Sequence, residues 1–88
     1  MKIKEGFVLR TVDGMHVVVA VGKAAAQFNG MITLNETGAV LWKCLEAGCD
    51  GQALTAALCD AFEVDAATAE ADAAAFVRSA RLAGLLDE

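Results

Sequence analysis

Few side chains in this sequence are suited to chemistry, and their spacing serves it poorly. His16 is the only histidine, and Cys44, Cys49 and Cys59 are the only thiols. Nucleophilic catalysis needs a thiol or hydroxyl held against a base. His16 falls beside a predicted hairpin turn, where it is expected to be solvated, and each cysteine falls on a later helix or connection. A zinc site asks for paired Cys-x-x-Cys ligands or several histidines. Thiols spaced by five and then ten residues, with one histidine, supply neither. The odd thiol count implies no disulfide framework and reads as small buried hydrophobes in a reducing compartment. Glu70 and Asp72 stand two apart on a predicted helix, so they diverge by about 200° and form a solvated face rather than a catalytic pair. The turn Gly48-Cys49-Asp50-Gly51 has no lysine after it, and no GxGxxG or GxxxxGK[ST] occurs, so no phosphate loop is present. The inventory argues against an enzyme, a metal site or a bound cofactor.

The elements that carry these residues belong to a short, acidic chain. It has 88 residues, 57% of them hydrophobic and 22% charged, which suits one folded domain over 1–88. The net charge is −5, and it is unevenly spread. Residues 1–49 carry five basic groups against four acids, whereas residues 50–88 carry only Arg78 and Arg81 against eight acids. A protein that neutralises nucleic-acid phosphates needs a basic stripe, and none is present. The strongest apolar run, residues 15–21, is far shorter than the roughly 18 residues of a membrane span and is interrupted by His16. The first five residues, MKIKE, lack the apolar stretch of a signal peptide. A cytoplasmic protein without membrane contact is the expectation.

The first third reads as strands. β-branched runs at about 7–12 and 15–21 flank Asp13-Gly14, the pair that a two-residue type I′ turn favours. That loop sets a register in which Val12 faces Met15, Arg10 faces Val17 and Val8 faces Val19. Residues 22–29 (GKAAAQFN) show no period and read as a connection, followed by a short third strand at about 30–34. Three helices follow. Asn35 caps one over about 36–47, with Val40, Leu41, Cys44 and Leu45 on its stripe and Gly48 as its stop. Asp50 caps the second, over about 51–62, whose Leu54, Ala57, Leu58, Ala61 and Phe62 keep a strict helical period, so Leu58 and Phe62 are expected in the core. Asp65 caps the third, over about 66–83, with Ala69, Ala73, Phe76, Val77 and Ala80 inward. The expected fold is α+β, a three-stranded antiparallel sheet followed by a three-helix bundle, with the outline of a winged helix-turn-helix.

A sheet whose last strand is the third leaves an edge to be covered. The segment Met31, Ile32, Thr33 and Leu34 has neither charge nor proline and alternates in a way suited to pairing. A homodimer or the N-terminal arm would cover it, and so would an added peptide strand.

The residues at that edge carry a family resemblance. The run ITLNETGA at 32–39, then Leu41-Trp42 and the turn LEAG at 45–48, resemble the pyrroloquinoline quinone synthesis protein D family, PqqD. AFEVD at 61–65, DAAAF at 72–76 and Gly84-Leu85-Leu86 fit the same pattern, so the similarity extends from residue 7 to residue 86. The family shares the leader-peptide recognition element of ribosomally made, modified peptides. The resemblance implies three antiparallel strands, three helices and no catalysis. It implies a leader peptide added as a strand beside the third strand, in a groove against the third helix, and presented to a modifying enzyme, often a radical S-adenosylmethionine protein. Carried onto this chain, the backbone partner is Met31, Ile32, Thr33 and Leu34, and the helical flank is Ala75, Arg78, Ser79 and Leu82. Arg78 and Arg81 would suit an acidic leader, or would simply complement the helix dipole. The resemblance implies a way of binding rather than a particular product. The alternative from another class is a winged-helix nucleic-acid-binding or transcription-related protein. Its recognition helix would be the second, which holds Asp60 and no basic residue.

Overall fold

The computed structural model describes residues 1–27 and 30–87. Along the chain run β1 (Lys2–Ile3), β2 (Phe7–Val12), β3 (Met15–Ala20) and α1 (Lys23–Gln27). They are followed by β4 (Ile32–Leu34), α2 (Glu36–Ala47), α3 (Gly51–Ala61), α4 (Ala66–Leu82) and β5 (Leu86–Asp87). The architecture is α+β, with the three-stranded antiparallel sheet β2-β3-β4 ahead of the three long helices.

Asp13 and Gly14 take φ values of +52° and +77°, the left-handed pair of a type I′ loop. The register that follows pairs Val12 with Met15 and continues without a slip to Phe7 with Ala20. β3 then pairs with β4 through His16↔Leu34, Val17↔Thr33 and Val18↔Ile32. A two-residue loop makes its flanking residues a hydrogen-bonded pair, so the backbone groups of residues 15, 17 and 19 point at β2. Those of residues 16, 18 and 20 point at β4. On β4, therefore, Ile32 and Leu34 turn their N–H and C=O groups toward β3, and Thr33 turns both outward.

The third strand is shorter than the expected 30–34, because Gly30 has φ +105° and the ladder begins at Ile32. The expected connection at 22–29 is not structureless: residues 23–27 form α1. Three successive alanines favour a helical turn, and Gly6 makes room for it, since a Cβ there would stand 2.7 Å from the Ala24 Cβ. Residues 28 and 29 of that connection lie outside the described residues. The N-terminal arm covers no edge of the sheet. It pairs as β1 with β5, Lys2 opposite Asp87 and Ile3 opposite Leu86. Lys4 N–H donates to the Leu85 carbonyl at 2.8 Å, and Cys49 N–H donates to the Met1 carbonyl at 2.9 Å.

Each long helix begins at a side-chain cap. Asn35 Oδ1 accepts from Gly38 N–H at 2.8 Å, Asp50 Oδ1 from Ala53 at 2.9 Å and Asp65 Oδ1 from Thr68 at 2.7 Å. Gly48 and Gly84, both at positive φ, turn the chain away after α2 and α4. The core gathers Val18 of the sheet, Leu41, Trp42 and Leu45 of α2, Leu54 and Leu58 of α3, and the small face of α4. On α2 the buried arc is Gly38, Ala39, Leu41, Trp42 and Leu45, while Val40 and Cys44 are half-buried. The expected stripe is thus rotated by about one residue, because α2 is apolar around most of its circumference and packs on several sides. Phe62 is not fully in the core; it is the extended C-cap of α3 and half-buried. No helix among the described residues is long and apolar enough to cross a membrane.

Candidate functional site

The outward backbone of Thr33 opens onto a groove of about 770 Å³ between β4 and α4. One wall is Ile32, Thr33 and Leu34, and the other is the α4 face carrying Ala75, Phe76, Ser79 and Ala80. Gly38 and Trp42 of α2 form the floor, and Ala83 and Leu85 close the far end. The floor is deep because residue 38 has no side chain: a Cβ there would stand 3.2 Å from Asn35 Oδ1 and 3.3 Å from Leu34 Cβ. A smaller hollow of about 260 Å³ shares Asn35, Gly38 and Phe76 and carries the groove on toward Leu41 and Asp72. Among the described residues no strand pairs with the outer side of β4. The groove therefore combines an open strand edge with an apolar channel, the arrangement that accepts an extended peptide.

Five of the eight residues singled out from the sequence meet here: Ile32, Thr33, Leu34, Ala75 and Ser79. Three do not line the groove. Met31 precedes the strand and is 69% exposed, and Leu82 is 83% exposed. Arg78 lines a different cavity, of about 790 Å³, between α3 and the other flank of α4. Successive helical residues turn by about 100°, so taking Ala75 as zero puts Ser79, Ala83, Phe76 and Ala80 at about 40°, 80°, 100° and 140°. Arg78 falls at about 300° and Leu82 at about 340°, off that face. The sequence reading missed Phe76 and Ala80, which it placed wholly in the core; they lie where the buried stripe meets the groove. It also missed Gly38 and Trp42, whose sequence signals were the motifs that contain them, ITLNETGA at 32–39 and Leu41-Trp42.

His16 is not solvated: its side chain is only 13% exposed and sits between β2 and the first turn of α2. Its Nε2–H donates to Glu36 Oε1 at 2.9 Å, and the Thr11 hydroxyl lies 2.9 Å from Nδ1. The pair ties β3 to the start of α2 beside the β4 end of the groove. Burial and a hydrogen bond with Cys44 push the Cys49 thiol up to about 11, which leaves it a poor nucleophile. Among the described residues no three histidine, cysteine or acidic side chains are grouped so as to hold a metal ion. Trp42, the single tryptophan, is fully buried, and its indole N–H has no hydrogen-bond partner among the described residues.

A family model described as PqqD, coenzyme PQQ synthesis protein D, matches residues 15–86. The chain is also similar to a solved structure, TbiB1 in complex with the TbiA(beta) leader peptide. The TM-score is 0.77 at 26% sequence identity, covering 99% of this chain and 95% of that one. No curated protein matches the sequence.

Proposed function

This chain belongs to the family of coenzyme PQQ synthesis protein D, PqqD, and on that premise we propose that it is a non-catalytic binder of a precursor peptide's leader segment. The leader enters as a strand beside β4, and its side chains fill the groove between β4 and α4. The bound peptide is then presented to a modifying enzyme, of which a radical S-adenosylmethionine protein is one class. The observation that carries this reading is the outward-facing Thr33 backbone at the mouth of an apolar groove. The likeness to a protein solved with a leader peptide supports it.

The short edge sets the energetics. Within β4 only Thr33 offers both backbone groups outward, and each such hydrogen bond contributes about 0.5–1.5 kcal/mol net. Backbone pairing alone is therefore weak. Affinity and selectivity come from side chains set into the channel against Phe76, Ser79 and Ala83. The test is a titration with the leader of a short peptide encoded beside this gene, comparing wild type with Ser79→Asp and Ala83→Asp. Both variants place a charge in the groove without touching the strand, and each is expected to weaken binding by about 1–3 kcal/mol at unchanged helical content. Equal affinities in all three proteins would defeat the reading.

A further inference from the structure

At its Asn35 end the groove runs on into the smaller hollow, and the hollow holds a charge that the groove lacks. Among the described residues, Asp72 of α4 is the one charged side chain lining either space. Its place follows from the turn of the helix. On the scale that puts Ala75 at zero, Asp72 falls at about 60°, between Ser79 and Ala83 on the groove face. Glu70 falls at about 220°, on the far flank, where it lines the cavity against α3. Asp72 makes no hydrogen bond or ion pair among the described residues. None of the chain's seven lysines and arginines lines the hollow. Its other polar groups are Asn35, whose Oδ1 accepts from Gly38 N–H, and Thr37. The positive end of α2 is already answered by Glu36 in its first turn.

We propose that the leader sets a lysine or arginine side chain into this hollow, against Asp72, two residues along from an apolar side chain seated over Gly38. This assignment rests on the leader lying beside β4 and adds the chemistry that such a strand must carry. Thr33 is exposed, whereas Ile32 and Leu34 are half-buried. A leader residue opposite Thr33 therefore points its side chain outward, and its two neighbours point into the groove. Side chains on one face of a strand stand about 6.6 Å apart. One turn of α4, from Phe76 to Asp72, advances about 6 Å. The inward side chain beside Leu34 thus meets Gly38 and Phe76. The next inward one, two residues further past the end of β4, meets Asp72. Read from the Ala83 end, the leader carries the pattern apolar-x-apolar-x-basic. An acidic side chain at the last position would face a like charge, and an apolar one would desolvate the carboxylate without a partner. A chain of net charge −5 attracts any basic peptide at long range. Backbone pairing alone tolerates a slip along the edge, so a single cation seated at Asp72 fixes the register of the strand.

The test uses the full chain and the leader of the short peptide encoded beside this gene, with each of its lysines and arginines replaced in turn by glutamine. One replacement, two residues from an apolar side chain, is expected to weaken binding to the wild type about threefold to fivefold, the worth of a partly exposed ion pair. The same replacement should change nothing in Asp72→Asn. Glu70→Gln makes an equal change in net charge on the other flank of α4 and should keep the wild-type preference. Asp72 is exposed and without a partner among the described residues, so Asp72→Asn should keep its helical content. In Asp72→Lys, a leader with glutamate at that position should bind better than the native one. A leader with no lysine or arginine overturns the proposal, as do replacements that weaken binding equally in the wild type and Asp72→Asn. So does an equal loss of preference in Glu70→Gln and Asp72→Asn, which would reduce the effect to net charge. In each of these cases the Thr33 amide still shifts on binding. A failure of the leader reading itself leaves Thr33 still with every peptide, and overturns this assignment with it.

Discussion

At the scale of single residues, the account turns on the direction of one peptide unit. Thr33 faces outward because Asp13 and Gly14 fix the hairpin phase, and that phase passes through β3 to β4. Thr33→Pro removes an N–H that nothing within β4 and β3 uses, at an edge where proline is tolerated. It should fold normally and lose about 0.5–1.5 kcal/mol of leader affinity. Ile32→Pro removes an N–H that pairs with β3, so it should destabilise the fold itself, seen as a lowered denaturation midpoint. The direction of Thr33 followed from a register that the Asp-Gly pair made legible. The setting of His16 was not legible, because it and its partners Thr11 and Glu36 lie on three separate elements. Thiol reactivity offers a second check. Cys59 is exposed and Cys49 is held up to about 11, so iodoacetamide near neutral pH should label Cys59 first and leave Cys49 largely unmodified.

At the scale of elements, caps and stops are written in local chemistry and were readable. The Asn35, Asp50 and Asp65 side chains each bond the backbone three residues on. What periodicity could not settle is which face of an alanine-rich helix looks at which neighbour. On α4 an i, i+3, i+4 pattern through Ala75, Arg78, Ser79 and Leu82 is a valid stripe, yet the groove face is centred near Ser79 and Ala83. The small residues there resemble core and surface equally well. Two-residue strands such as β1 and β5 leave no alternation to read, and α1 is too short to show a period. The α4 cap also carries a pH dependence. Hydrogen bonds from the Thr68 backbone and side chain hold the Asp65 carboxyl below the ordinary carboxylate range. A lowered folded value means that its stabilisation is present above the ordinary range and fades as the pH falls through the lowered one. Asp65→Asn keeps a capping side chain without a titrating group. Its helical signal at 222 nm should therefore fall less steeply with acid than that of the wild type; parallel curves would remove Asp65 from the acid response.

At the scale of the whole molecule, a thin core holds the groove between β4 and α4 in place. Leu58 is almost fully buried between α3 and its neighbours, and Leu58→Ala should cost about 2–5 kcal/mol in chemical denaturation, a large share of a small domain's stability. A loss under about 1 kcal/mol would mean that α3 packs loosely. β1 and β5 pair with each other rather than with the sheet, and among the described residues the outer edge of β4 stays unpaired. The measurement that bears most directly on this arrangement is a backbone amide-shift titration of the intact protein with the leader peptide. Trp42 fluorescence can be followed in the same samples, since that side chain forms the groove floor. The account predicts shifts concentrated at Thr33, Phe76, Ser79 and Ala83, together with a change in the Trp42 signal. Shifts confined to the Asp13-Gly14 turn or to α3, with Thr33 and α4 unmoved, would contradict it.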